Sequence, residues 1–344
     1  MLTWNHLPYS TIIGLGGRAR SWVHVCNKNP DVEIVGYVEP VPEQRTRVSE
    51  ELSLPMYRLF SSLPEALQTI EADFALDVTP PKAHASVAME VFEAGLHLIG
   101  EKPMSDNFDA AKQIVEASIS AGKTHMVTQN YRFGPVPRTT HRLLKEGVIG
   151  DPAQVTVGFY RAWATRPGTH YPTRPYPLIT DMGIHHFDLL RYVLDREPVS
   201  VYARTWNPPW GFHAGDAGHT AVIDFEGRFI ATHHALGSST GKQSPWNGDW
   251  RIEGPKGSLT WEEDQIYLTQ AYPPDERKRE EIPTDKLPLA GQDAILAEFI
   301  SAIREGREPE CSGEDNLKSL AIVFAAIQSA EENRTVEIAE LMES

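Results

Sequence analysis

The 344-residue sequence is poor in cysteine, in basic charge and in long apolar runs. Its two cysteines, Cys26 and Cys311, lie far apart, which excludes a disulfide framework and a cysteine-rich metal site. A formal net charge of −15 is the opposite of the basic stripe of nucleic-acid-binding proteins, and it disfavours an anionic membrane surface as a partner. No apolar run is long enough to cross a bilayer.

The first ten residues, MLTWNHLPYS, contain no basic segment followed by an apolar one, so they do not resemble a secretory signal. The 41% hydrophobic and 23% charged content is ordinary for a globular protein. The length is sufficient for two domains, each with its own core. We therefore expect a cytoplasmic enzyme or binding protein.

The first third of the sequence alternates short β-branched runs with amphipathic segments. This pattern predicts βαβ crossovers and a doubly wound parallel sheet, a Rossmann domain over residues 1–130. The predicted strands cover residues 10–14, 32–38, 74–78, 97–100 and 124–128, and the predicted helices cover 42–52, 83–94 and 108–121.

A glycine loop, GLGGRA, follows the first predicted strand and opens a helix. It fits G-x-G-x-x-G/A, in which Gly14 permits a tight turn and Gly16 lets the backbone approach a pyrophosphate. Ala19 allows close helix–strand packing, and Leu15 and Arg18 complete the loop. The loop predicts dinucleotide binding at a helix N-terminus; the alternative is a glycine turn without a ligand.

An acidic residue, Glu39, ends the second predicted strand, about 20 residues beyond the glycine loop. A carboxylate at this place would accept a hydrogen bond from the ribose 2′-hydroxyl and repel the additional phosphate of NADP. The sequence therefore favours NAD, although Arg45 or Arg47 leaves NADP open.

Four motifs together resemble the Gfo/Idh/MocA family of NAD(P)-dependent sugar and cyclitol oxidoreductases. They are TPPKAH at residues 79–84, EKP at 101–103, QNYRFGPVPR from residue 129, and DMGIHHFD at 181–188. The resemblance runs over most of the chain. One departure is the segment at 173–177, preceded by Arg166 and His170, where many relatives carry a glycine cluster.

The resemblance implies that Lys102 lies beside the nicotinamide and the substrate hydroxyl, and that Asp181 and His185 form an acid–base pair. It implies substrate contacts for Tyr131 and Asp188. The implied cofactor contacts extend to the loops after the later strands: Thr79, Pro80, His84, Glu101 and Lys102.

Independently of the family resemblance, the residues of DMGIHHFD are suited to acid–base catalysis. Oxidation of an alcohol needs a base near neutral pH, which histidine supplies. On a helix, Asp181, His185 and Asp188 share one face, while His186 is rotated away as a structural or substrate-contacting residue. Asp181 as a helix N-cap and His185 as a buried structural histidine stay open.

A metal site is not predicted, because adjacent histidines cannot both point at one ion from a regular helix. His233 and His234, in a later predicted strand, face opposite ways.

Residues 131–344 predict a substrate-binding and oligomerisation α/β domain with a large, mostly antiparallel open sheet. Trp206, Phe159 and Tyr202 are predicted on its outer face, which favours a homo-oligomer, a dimer or tetramer. The aromatic loop at residues 244–250 indicates either a sugar contact or a turn with a core tryptophan. The predicted strands cover residues 152–163, 199–206, 220–225, 229–235, 249–253, 258–261 and 265–268, and the predicted helices cover 137–146, 292–305 and 314–333.

These features predict an oxidoreductase that transfers a hydride between NAD(P) and a secondary alcohol of a sugar, sugar derivative or cyclitol. Two alternatives remain on the same fold. One is an NAD-dependent glycoside-cleaving enzyme, and the other is a non-catalytic protein that senses NAD or a sugar.

Overall fold

The computed structural model of the protein describes residues 8–162, 174–271 and 277–343. The chain divides into two compact units. Unit 1 comprises Met1–Asn130 and Leu289–Leu317, and unit 2 comprises Tyr131–Pro288 and Lys318–Ser344.

Unit 1 is built on a parallel sheet. In the part of the chain that the structure describes, the sheet has six strands in the order β3-β2-β1-β4-β5-β6, and each neighbouring pair is parallel. The strands are β1 (Tyr9–Ile13), β2 (Glu33–Val38), β3 (Leu59–Phe60), β4 (Phe74–Asp77), β5 (His97–Gly100) and β6 (His125–Val127). The intervening helices are α1 (Ala19–Lys28), α2 (Pro42–Leu52), α3 (Leu63–Ala66), α4 (Pro81–Glu93) and α5 (Phe108–Ala121), with a 3₁₀ turn at Met56–Arg58.

The central strands of this sheet form the core of unit 1. Ile12 of β1, Leu76 of β4 and Ile99 of β5 are fully buried. Both faces of a parallel sheet are covered by crossover helices, so such strands are apolar on both sides. The strand order reverses direction between β1 and β4, and the carboxyl edge at that point is where ligands bind in doubly wound sheets.

Unit 2 contains a broad mixed sheet. Among the described residues, it has nine strands in the order β14-β13-β12-β11-β7-β10-β9-β8-β15; β7 and β10 pair in parallel and the other pairs are antiparallel. Its strands are β7 (Gln154–Tyr160), β8 (Pro198–Trp206), β9 (Gly218–Phe225), β10 (Phe229–Leu236), β11 (Asp249–Gly254), β12 (Gly257–Glu262), β13 (Gln265–Gln270), β14 (Arg279–Ile282) and β15 (Val336–Glu337). The remaining helices are α6 (Pro135–Lys145), α7 (Ile184–Leu194), α8 (Gly291–Glu305), α9 (Gly313–Glu332) and α10 (Ile338–Glu343), with a 3₁₀ turn at Asn130–Phe133 and a π-helical turn at Ile179–Gly183.

Helix α8 belongs with unit 1, although the sequence placed all of residues 131–344 in the second domain. Its Phe299 ring packs edge-on against Phe74 of β4, with the ring centroids 5.3 Å apart. The amphipathic pattern of α8 predicts that one face is buried, but it does not identify the sheet that this face covers.

The nine-stranded sheet has one buried and one partly exposed face. Along β8, Val201 and Ala203 are buried while Tyr202 is exposed. The prediction that Phe159 lies on the outer face is wrong, because its ring is fully buried in a cluster with Leu178, Met182 and Ala235. Trp163, the predicted end of that strand, lies outside the described residues.

Several short elements were not predicted from the sequence: β3, α3, β14, β15 and α10. Two to six residues are too few to show a period of 2 or 3.6. A search of the described helices finds none with the length and apolar character needed to span a membrane.

Candidate functional site

The glycine loop lies at the carboxyl end of β1. Gly14 adopts φ +86°, and a Cβ there would lie 2.8 Å from the backbone nitrogen of Thr79, so a side chain is excluded both by conformation and by space. Around Gly16 no atom lies within 4 Å of a Cβ position, which leaves its backbone open to a ligand. Ala19 is fully buried at the start of α1. The loop fits a dinucleotide pyrophosphate.

Glu39 lies beside this loop at the end of β2 and is 8% exposed. Its carboxylate accepts hydrogen bonds from the backbone N–H of Leu15 (2.9 Å) and of Val41 (3.1 Å). Arg45 donates to the carbonyl oxygens of Glu39 and Pro40. The acid is thus held against the turn where a cofactor ribose would lie, and Arg45 is engaged with the backbone.

Glu101 connects the loop after β5 to α1. Its carboxylate accepts a hydrogen bond from the indole Nε1 of Trp22 (2.7 Å) and pairs with Nε of Arg18 (3.1 Å). Glu101 is buried, whereas half of the Arg18 side chain is exposed. These contacts place the EKP motif next to the glycine loop, although β4 lies between the strands β5 and β1 that the two segments follow.

Lys102 is half-buried and precedes Pro103 through a cis peptide bond. The carbonyl oxygen of Pro103 is 2.9 Å from Nδ1 of His84, and the carbonyl oxygen of Thr79 is 2.8 Å from Nε2 of the same ring. His84 therefore joins the loop after β4 to the loop that carries Lys102. Pro80 lies between Thr79 and α4 and is exposed.

Asp77, at the end of β4, was not among the sequence candidates. Its Oδ1 accepts hydrogen bonds from the backbone N–H (2.9 Å) and the hydroxyl (2.6 Å) of Thr79. Burial raises the pKa of this carboxyl, while the charge of His84 and the bonds from Thr79 oppose the increase. Its position at a strand end was the signal available in the sequence.

In unit 2, Asp181 and His185 lie where the helix changes its winding. Residues Ile179–Gly183 form a π-helical turn, and α7 continues from Ile184, whereas the sequence predicted one regular helix. π-Helical turns inside α-helices are frequent at functional sites. Asp181 is half-buried and His185 is 3% exposed. The ring of Tyr131 stacks on His185 with centroids 4.1 Å apart.

Asp188, one turn beyond His185, forms a buried ion pair. Both of its oxygens accept from Arg132, each at 2.6 Å, and Oδ1 also accepts from the hydroxyl of Ser319 at 3.0 Å. The side chains of Arg132 and Asp188 are 6% and 1% exposed. The sequence assigned Asp188 to substrate, and the structure engages its carboxylate with Arg132 and Ser319.

Three buried histidines contact one another in a row: His186 of α7, His233 of β10 and His219 of β9. The sequence did not reveal that they are neighbours. Nε2 of His186 contacts the carbonyl oxygen of Trp246, Nδ1 of His186 contacts His233, and the other nitrogen of His233 contacts His219; the three distances are 2.9, 2.9 and 2.8 Å. Burial lowers the pKa of His186 to about 4 and that of His219 to about 3, and it holds the pKa of His233 well below the ordinary value of a histidine. The three histidines are therefore neutral at pH 7.

The aromatic loop at residues 244–250 contains one buried and one exposed tryptophan, which correspond to the two alternatives of a core residue and a surface contact. Trp250 is buried and stacks on Trp261 with centroids 4.6 Å apart. Trp246 is 46% exposed, and the guanidinium of Arg161 lies 4.0 Å from its ring centroid.

Part of the predicted substrate wall lies outside the described residues, namely Arg166, His170, Tyr171 and Thr173. Across the described part of the chain, no group of three histidine, cysteine, aspartate or glutamate side chains is arranged to hold a metal ion.

Comparisons with known proteins agree with this architecture. The family model described as "Oxidoreductase family, NAD-binding Rossmann fold" matches residues 10–129, and "Oxidoreductase family, C-terminal alpha/beta domain" matches residues 141–338. A D-apiose dehydrogenase of Paraburkholderia graminis is 28% identical over 96% of this chain and 89% of its own length. An inositol 2-dehydrogenase of Rhizobium meliloti is 26% identical over 95% and 98% of the two chains.

Among solved structures, an oxidoreductase from Agrobacterium radiobacter in complex with NAD+, L-tartaric acid and magnesium has a TM-score of 0.86. It is 21% identical and covers 98% of this chain and 100% of that chain. This likeness shows a common fold.

Proposed function

Because the chain belongs to the Gfo/Idh/MocA oxidoreductase family, we propose that it is an NAD-dependent dehydrogenase for a secondary alcohol of a sugar, sugar derivative or cyclitol. Relatives named for apiose and inositol support this substrate class. The observation that carries the proposal is the arrangement of three loops at the carboxyl ends of the adjacent strands β1, β4 and β5. The loop at Gly14 passes so close to Thr79 that no side chain would fit between them, and the contacts Arg18–Glu101 and His84–Pro103 join the loops.

The cofactor would be held by the residues of unit 1. The backbone of Gly14, Leu15 and Gly16 and the start of α1 at Ala19 would face the pyrophosphate. Glu39 would accept from the ribose 2′-hydroxyl, which favours NAD over NADP. Bound NAD supplies the hydride acceptor.

The protein's own groups would handle the proton and the orientation of the substrate. His185 accepts the proton of the reacting hydroxyl, and Asp181 stabilises the resulting imidazolium. Lys102 donates a hydrogen bond to the substrate oxygen. Tyr131 stacks on His185 and fixes the plane of its ring, and Asp188 holds the guanidinium of Arg132.

The test of the proposed function is a panel of sugars and inositols with NAD and NADP, followed by nicotinamide absorbance. We expect net reduction of NAD by at least one member, and loss of turnover in Lys102→Ala and His185→Ala while NAD binding persists. Near wild-type kcat in both variants would refute the site assignment. Glycoside cleavage without net reduction of NAD would instead support the glycoside-cleaving alternative.

We further propose that the protein is a homo-oligomer that packs through the outer face of the nine-stranded sheet. Tyr202 and Trp206 of β8 are 36% and 41% exposed on that sheet, and exposed aromatic side chains are enriched at interfaces. A cytoplasmic location is proposed on the cysteine content, since two cysteines far apart in the sequence do not form the disulfide framework common in secreted proteins.

A further inference from the structure

Both ring nitrogens of His84 face carbonyl oxygens. Nδ1 lies 2.9 Å from the oxygen of Pro103, and Nε2 lies 2.8 Å from the oxygen of Thr79. A carbonyl oxygen only accepts hydrogen bonds, and a neutral imidazole has one N–H and one lone pair. If His84 were neutral, the lone pair of one ring nitrogen would point at a carbonyl oxygen, and that contact would be repulsive.

The groups around His84 would balance a positive charge on its ring. His84 is 4% exposed, and it shares a small cavity with three titratable groups: Asp77 at the end of β4, Glu101 after β5 and His125 of β6. Asp77 is 1% exposed and interacts favourably with a charged His84. Burial lowers the pKa of His125 to about 3, and the charge of His84 contributes to this decrease, so His125 is neutral. Glu101 is already paired with Arg18.

We propose that His84 is held as an imidazolium, balanced by Asp77, and that its two N–H groups clamp the Lys102 loop to the loop after β4. Pro103 directly follows Lys102, so the bond to its carbonyl fixes the backbone from which the lysine side chain extends. His84 is a positioning residue for Lys102. The role of the clamp in turnover rests on the proposed function, whereas the charge of His84 does not.

The charge is tested on the protein without cofactor or substrate. ¹⁵N NMR of protein labelled at its 13 histidines would resolve the ring nitrogens, and His84→Gln would assign His84 by loss of its signals. We expect both ring nitrogens of His84 to carry a proton at pH 7. A lone pair on either nitrogen at pH 7 would overturn the proposal. If His84→Gln does not fold, His84→Asn provides the assignment.

The positioning role is tested by turnover. His84→Gln offers one amide donor and one oxygen, so one contact becomes repulsive, and we expect kcat to fall about tenfold. The affinity for NAD, measured by fluorescence, should change much less.

His24→Gln, on the exposed side of α1, is the matched control and should match the wild type. Unchanged kcat in His84→Gln, or a loss of NAD affinity as large as the loss of kcat, would refute the positioning role; lost turnover in Lys102→Ala would leave the proposed function standing. Absence of turnover in the wild type would count against the proposed function, while the NMR result would still decide the charge.

Discussion

The ring of Tyr131 lies nearly flat on the imidazole of His185, with the two planes 10° apart and the centroids separated by 4.1 Å. Tyr131 also packs against the buried cluster around Phe159. The stack therefore ties the orientation of the proposed base to the core of unit 2, and it gives the first prediction.

Replacing Tyr131 by leucine removes the flat surface that holds His185, so we expect kcat to fall about tenfold or more. Tyr131→Phe keeps the ring and is the matched control, with kcat within about twofold of wild type. Steady-state kinetics with the best substrate of the panel measures both variants. Equal loss in the two variants would assign the effect to the hydroxyl instead of the stack.

The buried pair of Arg132 and Asp188 should govern stability. Asp188→Asn leaves the guanidinium of Arg132 without its countercharge, and we expect the free energy of unfolding to fall by about 3 kcal/mol. Urea denaturation followed by circular dichroism measures the change. The double variant Arg132→Met with Asp188→Leu should recover most of the loss, because it removes both charges.

The control for the ion pair is Glu263→Gln, which breaks the exposed contact with Lys242. It should leave the midpoint of unfolding unchanged, since exposed ion pairs contribute little. An Asp188→Asn variant as stable as this control would show that the buried pair contributes nothing.

Stability should depend on pH through the buried histidines. The pKa is about 4 in His97 and His186 and about 3 in His125 and His219, because burial disfavours the charged form. An unfolded chain binds these protons from about pH 6.5 downwards, before the folded protein does. The free energy of unfolding should therefore be highest above pH 6.5 and decrease as the pH falls toward 4.

Urea denaturation at pH 7, 6 and 5 measures this slope. His219→Leu removes one titrating group, so its slope should be smaller by about 1.4 kcal/mol per pH unit at most. His24→Leu, at an exposed position, should keep the wild-type slope. A wild-type stability that stays constant from pH 7 to pH 5 would contradict the neutral state of the buried histidines.

Glu39 should determine the preference for NAD. In Glu39→Gln the negative charge is lost and with it the repulsion of a 2′-phosphate, while the one remaining oxygen can accept from the backbone N–H of Leu15 but no longer also from that of Val41. We expect the ratio of kcat/KM for NADP to that for NAD to rise about tenfold. Glu43→Gln, exposed on α2, is the control. An unchanged ratio would show that another group selects the cofactor.

The oligomer proposal is tested at β8. Tyr202→Glu combined with Trp206→Glu places two charges on the outer face of the sheet, and we expect the mass from light scattering to fall from a dimer or tetramer to a smaller species. Tyr57→Glu is the control, since Tyr57 is 77% exposed in unit 1. A monomeric wild type, or a variant of unchanged mass, would refute packing through this face.

The elements that agree with the sequence have strong local signals at their ends. Helices Pro42–Leu52 and Phe108–Ala121 were predicted with the bounds that the structure has. The first begins with proline, and in the second Asn107 accepts from the N–H of Ala110 while Gly122 at φ +63° ends the helix. Capping depends on residues within one turn, so it can be inferred from sequence.

The π-helical turn at Asp181 has no such local signal. The spacing of Asp181 and His185 predicted one face of a regular helix, and DMGIHHFD contains no proline or capping pattern that would change the winding. The side chains of Leu178 and Met182 pack in the core cluster with Phe159. The residues that flank Asp181 therefore pack against Phe159 of β7, a contact that the sequence of DMGIHHFD does not reveal.

The order of residues alone determined the alternating strands and helices, the glycine turn and the residue types available for proton transfer. Only the tertiary structure decided their partners: Arg132 and Ser319 for Asp188, His233 for His186, and the carbonyls of Thr79 and Pro103 for His84. Periodicity and capping act over a few residues, whereas Asp188 is 131 positions from Ser319. Hydrogen bonds over such separations form only after the sheets and helices have packed.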